Sequence, residues 1–370
     1  MRALLKNSMD NKYKKQWQEY KEAELKIVRP ILSELGFELD DKQVHIGGER
    51  YITGGKKLVL LGKQKDNNKK VVIKVSRDEM RSAEIKHEWK CRQILQKINF
   101  AYHIFFTPKE ILYTKKNGFT IFVTRFIDQK STFLDRPLES QFFLSLKALE
   151  AQEGVHATTY EHTSTIKQTF GMWNSQEYIA SFDKYYTNTI VQLPENIKVK
   201  KLLTKAKDFL SQNIETIDLY SDFLTHWDLV PHNFRVLEND IYLLDYSSIR
   251  FGNKYEGWAR FINFMTLYNR PLEEKLVEYV KENRNEQEFL SLQLMRVFRL
   301  GELIWYYANT LDKAEGNLLQ LNKKRIDLWA NVLEGVLENK NIDYKIIEEY
   351  KIDRDKLRDE EEKERQQDLH

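Results

Sequence analysis

A histidine, an aspartate and an asparagine at close spacing lie past the middle of the chain. His226, Asp228 and Asn233 form the pattern H-x-D-x-x-x-x-N, and a short hydrophobic run then ends in Asp245. A carboxylate beside a hydroxyl can orient it for attack. An amide oxygen and a second carboxylate can hold Mg²⁺ against the phosphates of a nucleotide. This order of residue types therefore predicts phosphoryl transfer.

A lysine and a glutamate upstream would complete such a site. Lys74 lies in the apolar run 71–75, where a strand lysine could contact the α- and β-phosphates. Its partner should be a glutamate on the following helix. Segment 81–90 offers Glu84 and Glu88, which share one helical face because they are four residues apart. Either glutamate could pair with the lysine on this spacing alone.

The first third of the chain predicts an antiparallel five-stranded sheet. Runs typical of strands occur at 44–46, 58–61, 71–75, 110–113 and 119–124, and turn residues separate them. One helix, at 80–98, follows the third run. Gly54 and Gly55 lie between the first two runs, where unhindered backbone could approach phosphate oxygens or simply form a hairpin turn.

Most of the remaining chain has helical periodicity. Apolar residues recur every three to four positions in 138–153, 175–192, 197–215, 256–268, 272–282, 286–309 and 318–338. Segment 223–250, which holds the motif, instead alternates strand and loop patterns. A helix at 14–35 should be kinked or divided by Pro30. The charge-dense segment 353–367 is typical of a solvated helix or of disorder.

The bulk composition argues against several classes of function. The 370 residues include 59 basic and 56 acidic side chains, and a net charge of +3 gives no electrostatic footprint for nucleic acid. A single cysteine, Cys91, excludes an internal disulfide and a multi-cysteine zinc site, which fits the reducing cytoplasm. No apolar run approaches the ~20 residues that span a bilayer, and no signal peptide pattern is present. We expect a soluble, cytoplasmic protein without a membrane span or a nucleic-acid partner.

With this order of elements, the chain resembles the aminoglycoside phosphotransferase and choline kinase-like family, small-molecule kinases that share the protein-kinase fold. The family's loop has the form H-G-D-x-x-x-x-N, followed by a strand ending in I-D; here Trp227 replaces the glycine. The resemblance implies that Asp228 is the catalytic base and that His226 braces its loop. It also implies that Asn233 and Asp245 are magnesium ligands.

The resemblance extends over roughly residues 43 to 309 and also covers the nucleotide site. It implies that Lys74 contacts the phosphates of ATP, or of GTP. Glu88 is favoured as its partner, because Leu95 follows it two turns later, as family helices usually read. Backbone groups of the segment that crosses between the lobes, about 124–127, should also contact the nucleotide. Mg²⁺ is the implied second cofactor.

We therefore predict an α+β, protein-kinase-like fold with two lobes. The expected units are an N-terminal helical extension (1–42), a nucleotide-binding N-lobe (43–126), a C-lobe with the catalytic loop and acceptor-binding helices (127–350) and a charged tail (351–370). The expected activity is transfer of the γ-phosphoryl group of ATP to a hydroxyl of a small molecule of the aminoglycoside or choline type. The alternatives are an atypical protein or sugar kinase of the same fold, and a nucleotide-binding pseudokinase scaffold.

The acceptor pocket is expected from the helical insert at about 158–212 together with the last helices. Trp305, Tyr306 and Tyr307 could form a cage for a quaternary ammonium group. Their helical spacing beside Leu300 favours packing in the core instead. The sequence does not select an acceptor, because one fold serves many substrates.

Overall fold

The N-terminal part of the chain forms a five-stranded antiparallel sheet, as predicted. The computed structural model describes residues 12–53, 55–97, 106–153 and 160–367. The strand order is β1-β2-β3-β5-β4, and helix α2 connects β3 to β4. The bounds are β1 (Phe37–Leu39), β2 (Leu58–Gln64), β3 (Lys70–Ser76), α2 (Glu79–Lys97), β4 (Glu110–Lys116) and β5 (Phe119–Arg125). This sheet with one inserted helix confirms the predicted fold class.

The first strand does not lie where the sequence pattern predicted it. Phe37 and Leu39 in β1 are buried around an exposed Glu38 and pair with β2. The predicted strand at 44–46 is instead a short 3-10 turn, and a second 3-10 segment spans Gly48–Thr53. The sheet therefore begins before residue 43, inside the predicted extension.

Helix α1 (Lys12–Glu34) packs against this sheet and continues through Pro30 without a break. Its buried side chains, among them Val28 and Leu32, join the core of the N-lobe. Pro30 lies on the exposed face, where water can satisfy the carbonyl of Lys26, which lacks the usual helix donor. The expected division of this helix is therefore wrong.

The C-lobe is mostly helical and has its own hydrophobic core. Its helices are α3 (Leu138–Glu153), α4 (Tyr160–Phe170), α5 (Ser175–Gln192), α6 (Ile197–Ser211), α7 (Ile214–Leu219), α8 (Tyr255–Tyr268), α9 (Arg270–Asn283), α10 (Glu286–Ala308), α11 (Gly316–Leu337), α12 (Tyr344–Leu357) and α13 (Glu360–Gln367). The predicted helix at 197–215 is two helices in the structure, because α6 ends at Ser211 and α7 begins at Ile214. In the ranges that the structure describes, no helix is both long enough and apolar enough to cross a membrane.

Two short antiparallel strand pairs carry the motif. Strand β6 (Phe223–His226) pairs with β9 (Ile249–Gly252), and β7 (Phe234–Leu237) pairs with β8 (Asp240–Leu243). The loop that holds Asp228 and Asn233 therefore runs from the end of β6 to the start of β7. Asp245 follows the end of β8, so both ladders fix the backbone on either side of the motif residues.

The charged tail folds back onto the N-lobe. Helix α13 packs against the two 3-10 segments, and the carboxylate of Glu362 accepts a hydrogen bond of 2.9 Å from the backbone N–H of Glu49. Gly48 has φ +57°, and an added Cβ would collide with the Glu362 carboxylate and lie 3.0 Å from its Cα. Since Glu362 is buried, the expectation of a tail that is solvated throughout is wrong.

Candidate active site

The motif residues meet in one cavity between the lobes. The cavity has a volume of about 510 Å³. Lys74 reaches it from β3, Asp228 and Asn233 from the loop after β6, and Asp245 from the end of β8. Residues 124–127, at the end of β5 and the start of the crossing between the lobes, also line the cavity. Four of the predicted site residues are thus brought together.

Lys74 forms a buried ion pair with Glu88. Its ammonium group donates to both carboxylate oxygens of Glu88, at 2.7 and 2.6 Å. Burial opposes the charged form, but the carboxylates of Glu88 and Asp245 raise the pKa of Lys74 above its ordinary value. Glu84, the other candidate partner, pairs with Arg81. The pair therefore holds a cationic group at the cavity wall.

Asp245 is held as a buried carboxylate. Its Oδ1 accepts hydrogen bonds from the backbone N–H and the hydroxyl of Ser247, at 3.1 and 2.6 Å. Burial would raise the pKa of Asp245, but the charges of Lys74 and Lys57, with the Ser247 hydrogen bond, hold it well below its ordinary value. This carboxylate is therefore ionised and fixed in orientation.

Asp228 is held between an amide and a guanidinium. The amide nitrogen of Asn233 donates to the main-chain carbonyl and to Oδ2 of Asp228, both at 2.8 Å. The Nε of Arg260 donates to Oδ1 at 2.8 Å. Burial opposes ionisation, but the charges of Arg260 and Arg299 lower the pKa of Asp228. Because the nitrogen of Asn233 is engaged with Asp228, its amide oxygen is the atom that it can offer a cation.

The sequence reasoning missed Arg260. It lies on α8, in a helix whose local pattern predicts only packing, and no motif spacing links it to Asp228. The packing of α8 beneath the loop after β6 brings the two side chains together. The available signal was that Arg260 is the one basic residue of this mostly apolar helix.

His226 connects the loop to Asp245 and does not line the cavity. Its backbone N–H donates to Oε1 of Gln152, and its Nε2 lies 2.9 Å from the main-chain oxygen of Asp245. Burial lowers the pKa of His226, so the ring is neutral and Nε2–H donates to that carbonyl. The residue acts by positioning the two motif segments.

The bulky Trp227 is accommodated by two arginines. The guanidinium groups of Arg250 and Arg299 lie 5.8 and 5.4 Å from the centre of its ring. Arg250 in turn donates to Glu256 at 3.0 Å, and Glu256 is completely buried. A buried charged network thus supports the loop at the position where the family most often has glycine.

Only one of the two glycines suggested for a phosphate cradle lies among the described residues. Gly54 lies outside the described residues, and Gly55 packs beside Arg81 rather than lining the cavity. From the same segment, His45 and Arg50 line the cavity instead. The connection from β1 to β2 is a pair of 3-10 turns and is therefore too long for a hairpin turn.

A second cavity adjoins the first beside the Asp228–Arg260 ion pair. It has a volume of about 220 Å³ and shares Arg50, His232 and Arg260 with the larger cavity. Its walls come from α8, α10, α11, α12, α13 and the second 3-10 segment. None of its described lining residues comes from 158–212, so the last helices, and not the helical insert, shape this space.

The donor set of the larger cavity suits magnesium. Within the described ranges, no group of three or more His, Cys, Asp or Glu side chains could hold a metal ion alone. Mg²⁺ prefers oxygen ligands, and in nucleotide sites one or two protein groups and the phosphates share its coordination. The Asn233 amide oxygen and the Asp245 carboxylate meet that requirement.

Several solved structures share this architecture. A thermostable mutant of aminoglycoside phosphotransferase APH(4)-Ia aligns with a TM-score of 0.58 and 16% identity, over 84% of this chain and 97% of its own. The chain has the aminoglycoside phosphotransferase fold. Spectinomycin phosphotransferase APH(9)-Ia, in complex with ADP and spectinomycin, aligns with a TM-score of 0.53 and 17% identity over 82% of this chain and 92% of its own. A type I macrolide 2'-phosphotransferase aligns with a TM-score of 0.53 and 16% identity over 82% and 97%, respectively. No protein-family model matches the sequence, and no curated protein matches it either.

Proposed function

We propose that this protein is an enzyme that transfers the γ-phosphoryl group of ATP, or of GTP, to a hydroxyl of a small molecule with the help of Mg²⁺. The observation that carries the proposal is the convergence of Lys74, Asp228, Asn233 and Asp245 on one cavity. A cation, a base and two metal ligands in one place are the groups that this reaction requires. Neighbours in fold support it, since their structures hold ADP or AMP-PNP together with hygromycin B or spectinomycin.

Lys74, Asn233 and Asp245 would bind the nucleotide and its Mg²⁺. The Lys74 ammonium, held by Glu88, can donate to phosphate oxygens from the cavity wall. Asn233 and Asp245 would hold Mg²⁺, which neutralises charge that develops on the phosphates when it is bound. The crossing segment 124–127 would offer backbone groups to the purine ring of the nucleotide.

Asp228 would act on the acceptor. Its carboxylate orients the attacking hydroxyl and takes up the proton as the new O–P bond forms and the bond to the leaving ADP breaks. Arg260 keeps this carboxylate ionised and restricts its orientation. A scaffold that only binds nucleotide would have no chemical need for this ionised base, which argues against a pseudokinase.

A small acceptor is favoured over a protein. Helix α13 contributes Arg365 and Gln366 to both cavities, so the tail borders the space beside Asp228 and narrows it. A protein substrate needs an open shelf along which its chain can lie. The aminoglycoside or choline type of acceptor is the form that the resemblance of the sequence implies. A cytoplasmic location fits the need for ATP and the single cysteine.

Two substitutions test the proposal. Asp245→Asn removes a charge that offsets Mg²⁺, so Mg-ATP affinity should fall together with turnover. Asp228→Asn should leave Mg-ATP affinity nearly unchanged and lower the turnover of ATP by ~10²–10⁴, as expected for a lost general base. Calorimetry measures nucleotide affinity, and residual ATPase activity reports the chemistry without a known acceptor.

The wild-type protein provides the reference. Mg-ATP should raise its melting temperature, because a ligand that binds the native state stabilises it. A folded protein that does not respond to Mg-ATP would rule out the kinase. Equal loss of nucleotide affinity in the two variants would show that Asp228 and Asp245 do not have the separate roles of general base and Mg²⁺ ligand.

A further inference from the structure

We propose that the second cavity binds the acceptor and that this acceptor is a small anion, an alcohol that carries a phosphate or carboxylate group. The inference rests on the proposed function and specifies its substrate class. Asp228, Asn233 and Asp245 line the larger cavity only, whereas Arg260, whose guanidinium holds Asp228, lines both cavities. The acceptor hydroxyl would therefore lie at the boundary beside Arg260, with the rest of the molecule in the second cavity.

The charge of the lining favours an anion. Five arginines face two glutamates in the described lining: Arg50, Arg260, Arg325, Arg358 and Arg365 against Glu49 and Glu362. With the Asp228 partner of Arg260 included, there is still an excess of two positive charges. A cleft lined mainly by one sign of charge concentrates ligands of the other sign. Guanidinium groups also match phosphate and carboxylate in geometry.

Arg358 has a buried donor that awaits a partner. Its Nε is buried, and within the described residues no atom accepts a hydrogen bond from it. Buried polar atoms are nearly always hydrogen-bonded, and an unsatisfied one is costly. Arg358 lines the second cavity and not the first, and no carboxylate of the described residues pairs with its guanidinium, so an anion in this cavity would give that charge a partner.

Two further arginines bring positive charge to the boundary between the cavities. Arg50 and Arg365 line both of them. Burial, together with the charge of Arg365, lowers the pKa of Arg50. Arg365 also pairs with the buried carboxylate of Glu362 at 2.7 Å, which fixes its guanidinium at this boundary.

A cationic acceptor meets an occupied site. The guanidinium of Arg325 already lies 5.1 Å from the centre of the Tyr307 ring, where a quaternary ammonium group would have to stack. Glu49 holds Arg325 in place through a contact of 2.9 Å. Tyr306 and Tyr307 both line the cavity, but the Tyr307 face that Arg325 covers is not available to a cage for choline.

The size of the cavity limits the acceptor further. Its volume of about 220 Å³ is below the ~300–1,000 Å³ typical of pockets for drug-sized ligands. A molecule built from several amino-sugar rings exceeds this space. The arrangement fits a short or single-ring alcohol whose hydroxyl points to Asp228 and whose anionic group points to Arg358.

Calorimetry on the full-length protein loaded with Mg-ADP tests this inference directly. The probes are glycerol 3-phosphate, glycerate and inorganic phosphate, compared with neutral glycerol and with the cations choline and hygromycin B. We expect the anions to bind at least ~10-fold more tightly than glycerol. Hydrogen bonds to charged groups contribute about 1.5–3 kcal/mol, so Arg358→Gln should weaken anion binding by ~10-fold or more.

Matched variants control for the change in net charge. Lys356→Gln alters the same charge two residues away on the exposed surface and should leave anion binding unchanged. Arg365→Gln, with Lys363→Gln as its control, repeats the comparison on α13 in case Arg358→Gln does not fold. The phosphate and carboxylate probes distinguish the two anionic groups.

Each outcome decides the inference. Tighter binding of choline, hygromycin B or glycerol than of the anions would overturn it, and so would a set in which no anion binds. Anion binding that Arg358→Gln and Arg365→Gln leave intact would also overturn it. If anion binding depends on these arginines but the protein does not bind Mg-ATP, the anion site is supported and the kinase activity is refuted. If the protein phosphorylates a cationic acceptor, the kinase activity is supported and the anionic acceptor is refuted.

Discussion

The buried pair of Lys74 and Glu88 predicts an unequal cost for removing its two members. The Lys74 side chain is 15% exposed and that of Glu88 is 2% exposed, so water screens the pair poorly. Lys74→Met leaves Glu88 and Asp245 as neighbouring carboxylates without their cation. Removing one partner of a buried pair costs about 3–5 kcal/mol in the free energy of unfolding, and we expect this range.

Glu88→Gln should cost less. Lys74 keeps the charge of Asp245 nearby, and the amide oxygen of the glutamine can still accept a hydrogen bond. The expected loss is about 1–3 kcal/mol. In the double variant the uncompensated Glu88 charge is also gone. Its stability should therefore be no lower than that of Lys74→Met, with a coupling energy of about 1–3 kcal/mol.

Urea unfolding followed by circular dichroism measures these differences in the absence of nucleotide. The exposed pair Lys63 and Glu38, in the same sheet at 3.4 Å, is the control. Its side chains are 41% and 58% exposed, so Lys63→Met and Glu38→Gln should each change stability by less than about 1 kcal/mol. A coupling near zero for the buried pair, or a larger loss for Glu88→Gln than for Lys74→Met, would refute this reasoning.

Three further outcomes follow from contacts around the loop and the tail. Burial lowers the pKa of His232 to about 4, and the unfolded chain titrates near ~6.5, so the native protein should lose stability as pH falls from ~6.5 to ~4. His232→Gln should lack this part of the pH dependence in thermal melts, and an unchanged difference between pH 7 and pH 4.5 would contradict it. Gly48→Ala should cost about 1–3 kcal/mol through its positive φ, and should expose the chain around Glu362 to protease; an unaltered digestion pattern would show that the tail tolerates the Cβ. Arg260→Gln removes the charge that lowers the pKa of Asp228, so the acidic limb of the ATPase pH profile should move to higher pH while Mg-ATP affinity stays constant; an unshifted limb would mean that the ion pair does not control the base.

Local sequence patterns were sufficient to predict the fold class and to predict that the motif residues lie in one site. The loop from His226 to Asn233 is a short-range pattern, and the strands that frame it are short, largely buried runs. The choice between segments 37–39 and 44–46 was not local, because both alternate apolar and polar residues. Pairing with β2 selects the first of them. The bounds of most C-lobe helices were predicted within a few residues because their apolar spacing is regular.

Contacts between distant segments were not predictable from spacing. Glu49 and Glu362 are 313 residues apart, and the charges around Glu362 resemble those of a solvated helix. Its burial depends on Gly48 having no side chain. The pairing of Arg260 with Asp228 has the same origin in tertiary packing. The residues that would choose the acceptor are therefore those on which the sequence alone gave the least information.

The contacts that hold Glu49 to α11 and α13 have a consequence for the rate at which the cleft between the lobes can open. Glu49, in the N-lobe, is held by α11 through Arg325 and by α13 through Glu362. The lobes are thus fastened at the mouth of the cleft as well as joined by the crossing at 124–127. A hinge motion that separates residue 49 from α11 would break the Glu49–Arg325 ion pair, whose members are mostly buried. In many enzymes such opening, and not the chemical step, limits turnover. The length of time that a product remains bound would here depend on the contacts that α11 and α13 make with Glu49.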